Sequence, residues 1–113
     1  MKKFCGVLFL TVALLVVGSY NNNVEAYDNY MGTWRSGYDA YLMTETMKTG
    51  RGEFKCVVKA VKGKDVIYIN YNFWIGKGWI FSNSDGVTNS VDNAVRQGSS
   101  IESNIVKYYY DHY

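Results

Sequence analysis

Apolar and polar positions alternate through two adjoining stretches, Phe54 to Val61 and Val66 to Ile75, separated by the turn-like Lys62-Gly63-Lys64-Asp65. A period of two places successive side chains on opposite faces of a strand, and β-branched and aromatic residues suit that conformation. The pattern predicts a β-hairpin. In its second run Ile67, Ile69, Tyr71, Phe73 and Ile75 share one face, while Val66, Tyr68, Asn70, Asn72 and Trp74 share the other. The uniformly apolar face is expected to lie on the core, where each fully buried side chain contributes about 1.5 to 3 kcal/mol before entropy is counted. Trp74 shares its face with Asn70 and Asn72, so it is the ring expected to remain exposed.

The flanking sequence carries weaker versions of the same signal. Tyr27 to Tyr30 reads as an edge segment, Trp34 to Met43 as a first strand bent at Gly37, and the glycine-punctuated Thr44 to Gly52 as a loop. After the hairpin, Gly76-Lys77-Gly78 breaks the strand; with no helix or Walker lysine-serine pair behind it, a turn is expected rather than a phosphate loop. Trp79 to Phe81 is a short strand, followed by a turn at Asn83-Ser84-Asp85-Gly86 that lacks the alternating acidic ligands of a calcium loop. Between Val87 and Gly98, the spacing of Val87, Val91, Ala94 and Val95 allows a short helical turn near 90–97, capped by Ser90 and ended by Gly98, or an irregular crossover. Ile101 to Tyr113 alternates and predicts a last strand. With no Pro, no repeat and no linker, the fold class is all-β, a small antiparallel β-sandwich following an N-terminal signal peptide helix.

The hydropathy at the N-terminus has a different character. Lys2 and Lys3 precede an apolar run from Phe4 to Val17 broken only by Gly6 and Thr11, then a polar stretch and the small-residue site Val24-Glu25-Ala26. This is the layout of a secretory signal peptide engaged by the membrane export machinery, with cleavage expected after Ala26 and the stretch back to Gly18 open as an alternative. An uncleaved membrane anchor would call for a basic stop-transfer cluster, and none follows. The product is then secreted, and residues 27–113 form a single domain with a modest core.

Composition narrows the chemistry. Twelve Lys and Arg face ten Asp and Glu, interspersed along the chain, so the charge pattern is not that of a nucleic-acid binder. Lys55, Lys59, Lys62 and Lys64 cluster as an expected solvated strand face, with attraction to an anionic surface as the functional alternative. Cys5 lies in the leader, leaving Cys56 alone in the domain; it alternates with Phe54, Val58 and Ala60 and is expected as a buried thiol, the alternative being a homodimer joined through it. His112 is the single histidine. One His and one Cys supply neither a recognisable metal site nor a well-placed nucleophile and base, so no metal, no cofactor and no enzymatic activity are expected.

Two aromatic segments stand apart: the glycine-flanked Gly32-Thr33-Trp34 with Gly37 and Tyr38, and the closing Tyr108-Tyr109-Tyr110-Asp111-His112-Tyr113. Together with the leader, the strand Phe54 to Lys62 and Gly78-Trp79, this arrangement resembles the lactococcin 972 family of secreted bacteriocins. The resemblance implies a β-sandwich of two small antiparallel sheets, secretion by a Gram-positive bacterium, and inhibition of cell-wall synthesis at the septum of related bacteria through binding of the precursor lipid II. The chain departs from that family in having Lys48 to Lys55 where a His/Ser/Thr-rich segment is typical, and in the hydrophobic run Ile67 to Ile75. The candidate recognition residues are Gly32, Thr33, Trp34, Gly37, Tyr38, Trp74, Trp79, Tyr108, Tyr109, Tyr110 and Tyr113. Amphipathic rings of this kind suit a wet interface or a headgroup zone. Gly-x-Trp also opens lipocalin barrels, which keeps a small secreted lipocalin-like or surface binding module as the alternative function.

Overall fold

The computed structural model describes residues 28–113; the segment expected to be a signal peptide, the cleavage expected after Ala26, and Tyr27 lie outside the described residues. Six strands follow one another, β1 (Asp28–Thr33), β2 (Asp39–Gly50), β3 (Glu53–Lys62), β4 (Asp65–Gly76), β5 (Gly78–Asn83) and β6 (Thr88–Ser90), and two helices close the chain, α1 (Val91–Arg96) and α2 (Ile101–His112). The strands form a single antiparallel meander in sequence order. The small, strand-dominated antiparallel domain expected from the alternation is therefore present. Its opposing layer is made by the two helices, where the expected sandwich would have had a second sheet.

The central hairpin follows the hydrophobic pattern. Val58 faces Ile69, Cys56 faces Tyr71 and Phe54 faces Phe73 across β3 and β4, and all six are buried. Ile67 and Ile75, at the two ends of that face, are exposed. Leu42 from β2 and Phe81 from β5 extend the apolar surface, which Val91 and Ala94 of α1 and Ile101, Ile105 and Val106 of α2 cover.

Three sequence expectations give way. The segment Ile101 to Tyr113 is α2, not a last strand. Residues Ile101, Ile105, Val106 and Tyr109 recur at helical spacing on the side facing the sheet, and burying that stripe outweighs the strand preference of isoleucine and tyrosine. The predicted bent strand from Trp34 to Met43 is split, residues 34–38 forming the connection between β1 and β2. The predicted loop from Thr44 to Gly52 instead belongs largely to β2, whose register against β3 shifts between Met43 and Lys48. There the Thr46 hydroxyl donates to the Met43 carbonyl at 2.6 Å and accepts from Val57 N–H at 2.8 Å, so a side chain replaces a ladder bond that the bulge removes.

The lysine cluster is also corrected at one position. Lys59 is buried on the sheet face opposite the helices, its ammonium 2.8 Å from Asp28. Lys55, Lys62 and Lys64 are exposed. The helical turn expected near 90–97 is α1, with the Ser90 hydroxyl accepting from Asn93 N–H at 3.0 Å. Gly98 follows its end in the left-handed conformation, at φ 95°.

Candidate binding cavity

At the end of the sheet where the β1–β2, β3–β4 and β5–β6 turns lie, three segments surround a cavity of about 570 Å³. The first wall is the Trp34–Tyr38 connection. Trp34 N–H donates to the Tyr38 carbonyl and Gly37 N–H to the Trp34 carbonyl, each at 2.9 Å, a tight turn that Gly37 permits at φ 92°. Lys62 ties the turn to the end of β3 by donating to the Ser36 carbonyl at 2.8 Å, with its ammonium 5.7 Å from the centre of the Tyr38 ring.

The second wall is the α1–α2 connection. Ser99 N–H donates to the Ala94 carbonyl at 2.9 Å, and the Asn89 side chain donates to Gln97 at 3.2 Å. Arg35 reaches across to this wall: a side chain added at Gly98 would come within 3.2 Å of its Nη2. The third wall is the β5–β6 turn, held by Asn83 Oδ1, which accepts from Asp85 N–H at 3.0 Å and Val87 N–H at 3.2 Å. Ala60, Ile69, Tyr71 and Phe81 form the sheet side, with Ile67 near the rim.

Polar groups converge in the depth of this space. Glu102, in the first turn of α2, is 3% exposed. One of its carboxylate oxygens accepts from the Tyr71 hydroxyl at 2.7 Å and the other from the Ser99 hydroxyl at 3.1 Å. Burial pushes the Tyr71 phenol far above its ordinary value, and the charge and hydrogen bond of Glu102 push it further, against a smaller opposing hydrogen bond from Asn83. Tyr71 is thus held protonated, as a donor. Behind it, burial pushes the Cys56 thiol up to about 12, so Cys56 is a neutral thiol at physiological pH and a poor nucleophile. Among the described residues no group of three His, Cys, Asp or Glu side chains is placed to hold a metal ion.

Compared with known proteins, the chain matches no family model, no curated protein and no solved structure. What the cavity can do follows from its own chemistry. A concave space of this size, apolar and aromatic on its sheet side and polar along its turns and at Glu102, is suited to holding a small molecule or one end of a larger one.

The recognition residues expected from sequence fall into separate places. Thr33, Trp34 and Tyr38 line the cavity; Gly37 shapes its turn, and Gly32 lies in the adjoining bulge of β1, against Ile101 of α2. Trp79, Tyr109, Tyr110 and Tyr113 assemble elsewhere, around Phe54 at the opposite end of β3. Tyr109 stacks on Phe54 with ring centres 4.4 Å apart, Trp79 meets both edge-on, and Trp79 Nε1 donates to the Tyr110 hydroxyl at 3.0 Å. Tyr113 stacks on Tyr109 at 6.0 Å, and Tyr108 stacks on His112 at 3.8 Å. Trp74, expected as the exposed ring, is half-buried on the far face of β4 between Glu53 and Ile80.

Glu102, Tyr71 as its partner, Ser99 and Arg35 are site residues that the strand-based pattern did not single out. A helical reading would have exposed the first of them, because Glu102 then shares a face with Val106 one turn on, beside the buried Ile101 and Ile105.

Proposed function

We propose that this protein is a non-enzymatic recognition module that binds a component of the bacterial cell envelope in the cavity between the Trp34–Tyr38 turn and the start of α2. The observation carrying this reading is the cavity itself: about 570 Å³, walled on one side by the glycine-flanked tryptophan segment and furnished at depth with Glu102, Tyr71 and Ser99. Preformed cavities with few, converging polar groups are the usual form of small-ligand sites.

The choice of an envelope component draws on the signal-peptide-like N-terminus and the resemblance to the lactococcin 972 bacteriocins. In its most specific form the proposal is a secreted, bacteriocin-like inhibitor of wall synthesis and septum formation in related Gram-positive bacteria, with lipid II as the bound precursor. The single sheet backed by helices differs from the two small sheets that the resemblance implies, so the support for lipid II rests on sequence and not on architecture. The same cavity favours a second reading, a secreted lipocalin-like carrier of a small apolar molecule.

Growth of Gram-positive indicator strains in the presence of the purified protein separates the two. Arrest at septation that is relieved by added lipid II is the expected result. A protein that leaves growth untouched while retaining an apolar fluorescent probe would replace the first reading with the second.

A further inference from the structure

Glu102 is a carboxylate 3% exposed, lining an otherwise largely apolar cavity. Buried charges are ordinarily neutralised by an opposite charge, because hydrogen bonds alone recover only part of the lost hydration. Among the described residues the ion pairs are Lys59 with Asp28 and Lys107 with Asp111, and Glu102 belongs to neither. Its hydrogen-bond partners are two neutral hydroxyls, Tyr71 at 2.7 Å and Ser99 at 3.1 Å, each donating to a different oxygen. Its place in the first turn of α2 adds the partial positive charge of a helix N-terminus but no full counter-charge. Two donors occupy two of roughly four acceptor positions on a carboxylate. The remaining acceptor capacity is adjacent to the cavity.

We propose that the cavity takes a ligand bearing a primary ammonium group on an apolar body, with Glu102 as its counter-ion. The Tyr71 and Ser99 hydroxyls fix the carboxylate, leaving it only to accept from the ligand. A cation entering here exchanges water for a charge-assisted hydrogen bond in a site of low polarity, where such a bond is strong. The other charged groups lining the cavity, Arg35 and Asp85, are exposed and opposite in sign, so solvent screens both more than it screens Glu102. This inference rests on the cavity being a binding site and names the chemical class that it prefers; of an envelope ligand such as lipid II, an ammonium-bearing portion and not the anionic pyrophosphate would enter the cavity.

The test is calorimetric titration of the purified protein with benzylamine, an ammonium at neutral pH, and with its neutral isostere benzyl alcohol. Benzylamine is expected to bind roughly tenfold or more tightly, the usual consequence of one charge-assisted hydrogen bond. Glu102→Gln, which keeps the shape and an acceptor for Tyr71, is expected to abolish that preference, the two probes then binding alike. The preference measured on the unmutated protein does not depend on how the variant folds. Equal affinity for the two probes would overturn the ammonium assignment while leaving the cavity as a binding site. Failure of both probes to bind would overturn the assignment and the cavity's role together.

Discussion

Gly32 sits in the β1 bulge at φ 133°, and an added Cβ would lie 3.2 Å from Ile101 Cγ1 at the start of α2. Both the backbone conformation and the close approach of the helix need a residue without a side chain. Gly32→Ala is expected to destabilise the protein by about 1 to 3 kcal/mol, read as a lowered urea midpoint. Tyr71→Phe removes a donor from buried Glu102 and is expected to cost about 1 to 3 kcal/mol. Cys56 carries a pH dependence of definite sign. Its thiol ionises near 9.0 when unfolded and near 12 when folded, so above pH 9 the unfolded chain gives up a proton that the folded chain keeps. This contribution to stability is intact below pH 9 and is lost progressively towards pH 12. Cys56→Ala should flatten that part of the stability profile; an unchanged alkaline slope would count against the assignment. Alternation with Phe54 and Val58 made the burial of Cys56 legible in the sequence. The pairing of Tyr71 with Glu102, 31 positions apart, was not, because no local pattern encodes which side chains a fold brings together.

At the level of elements, the β3–β4 hairpin was readable almost to its ends because its side chains alternate and a two-residue Gly63-Lys64 turn links two β-branched runs. Helix α2 is hidden in the sequence for a definable reason. Ile101, Ile105 and Tyr109 satisfy both a period of two and a spacing of four, and the β-branched and aromatic content tilted the reading towards strand. The helical period appears once Val106 is counted with them, and only packing on the sheet selects it. The aromatic stack Phe73–Phe54–Tyr109, with centres 4.6 and 4.4 Å apart, then anchors the last turn. Ile105→Ala, at a fully buried position, is expected to lose about 2 to 5 kcal/mol of stability. Tyr110→Phe, which removes only the bond to Trp79 at an exposed position, is expected to lose less than about 1 kcal/mol. A thermal unfolding series on these two variants measures the contrast directly.

Over the whole molecule, the fold places its two aromatic segments at opposite ends of the sheet. The C-terminal tyrosines close the apolar face near the start of β3, and the tryptophan turn walls a cavity near its end. The candidate site was legible only in part. Trp34 and Tyr38 stood out as a motif, whereas the polar depth of the cavity depends on α2 being a helix and on the meander carrying Tyr71 beneath its first turn. Recognition through this cavity is the central claim, and Val87 at its rim, 45% exposed, offers a substitution that fills the opening without disturbing the core. Fluorescence titration with a water-soluble lipid II analogue should show saturable binding to the unmutated protein. Val87→Trp should weaken that binding by tenfold or more while unfolding at the same temperature, roughly the loss of one well-made contact region. Undiminished binding by the folded Val87→Trp variant would contradict the account.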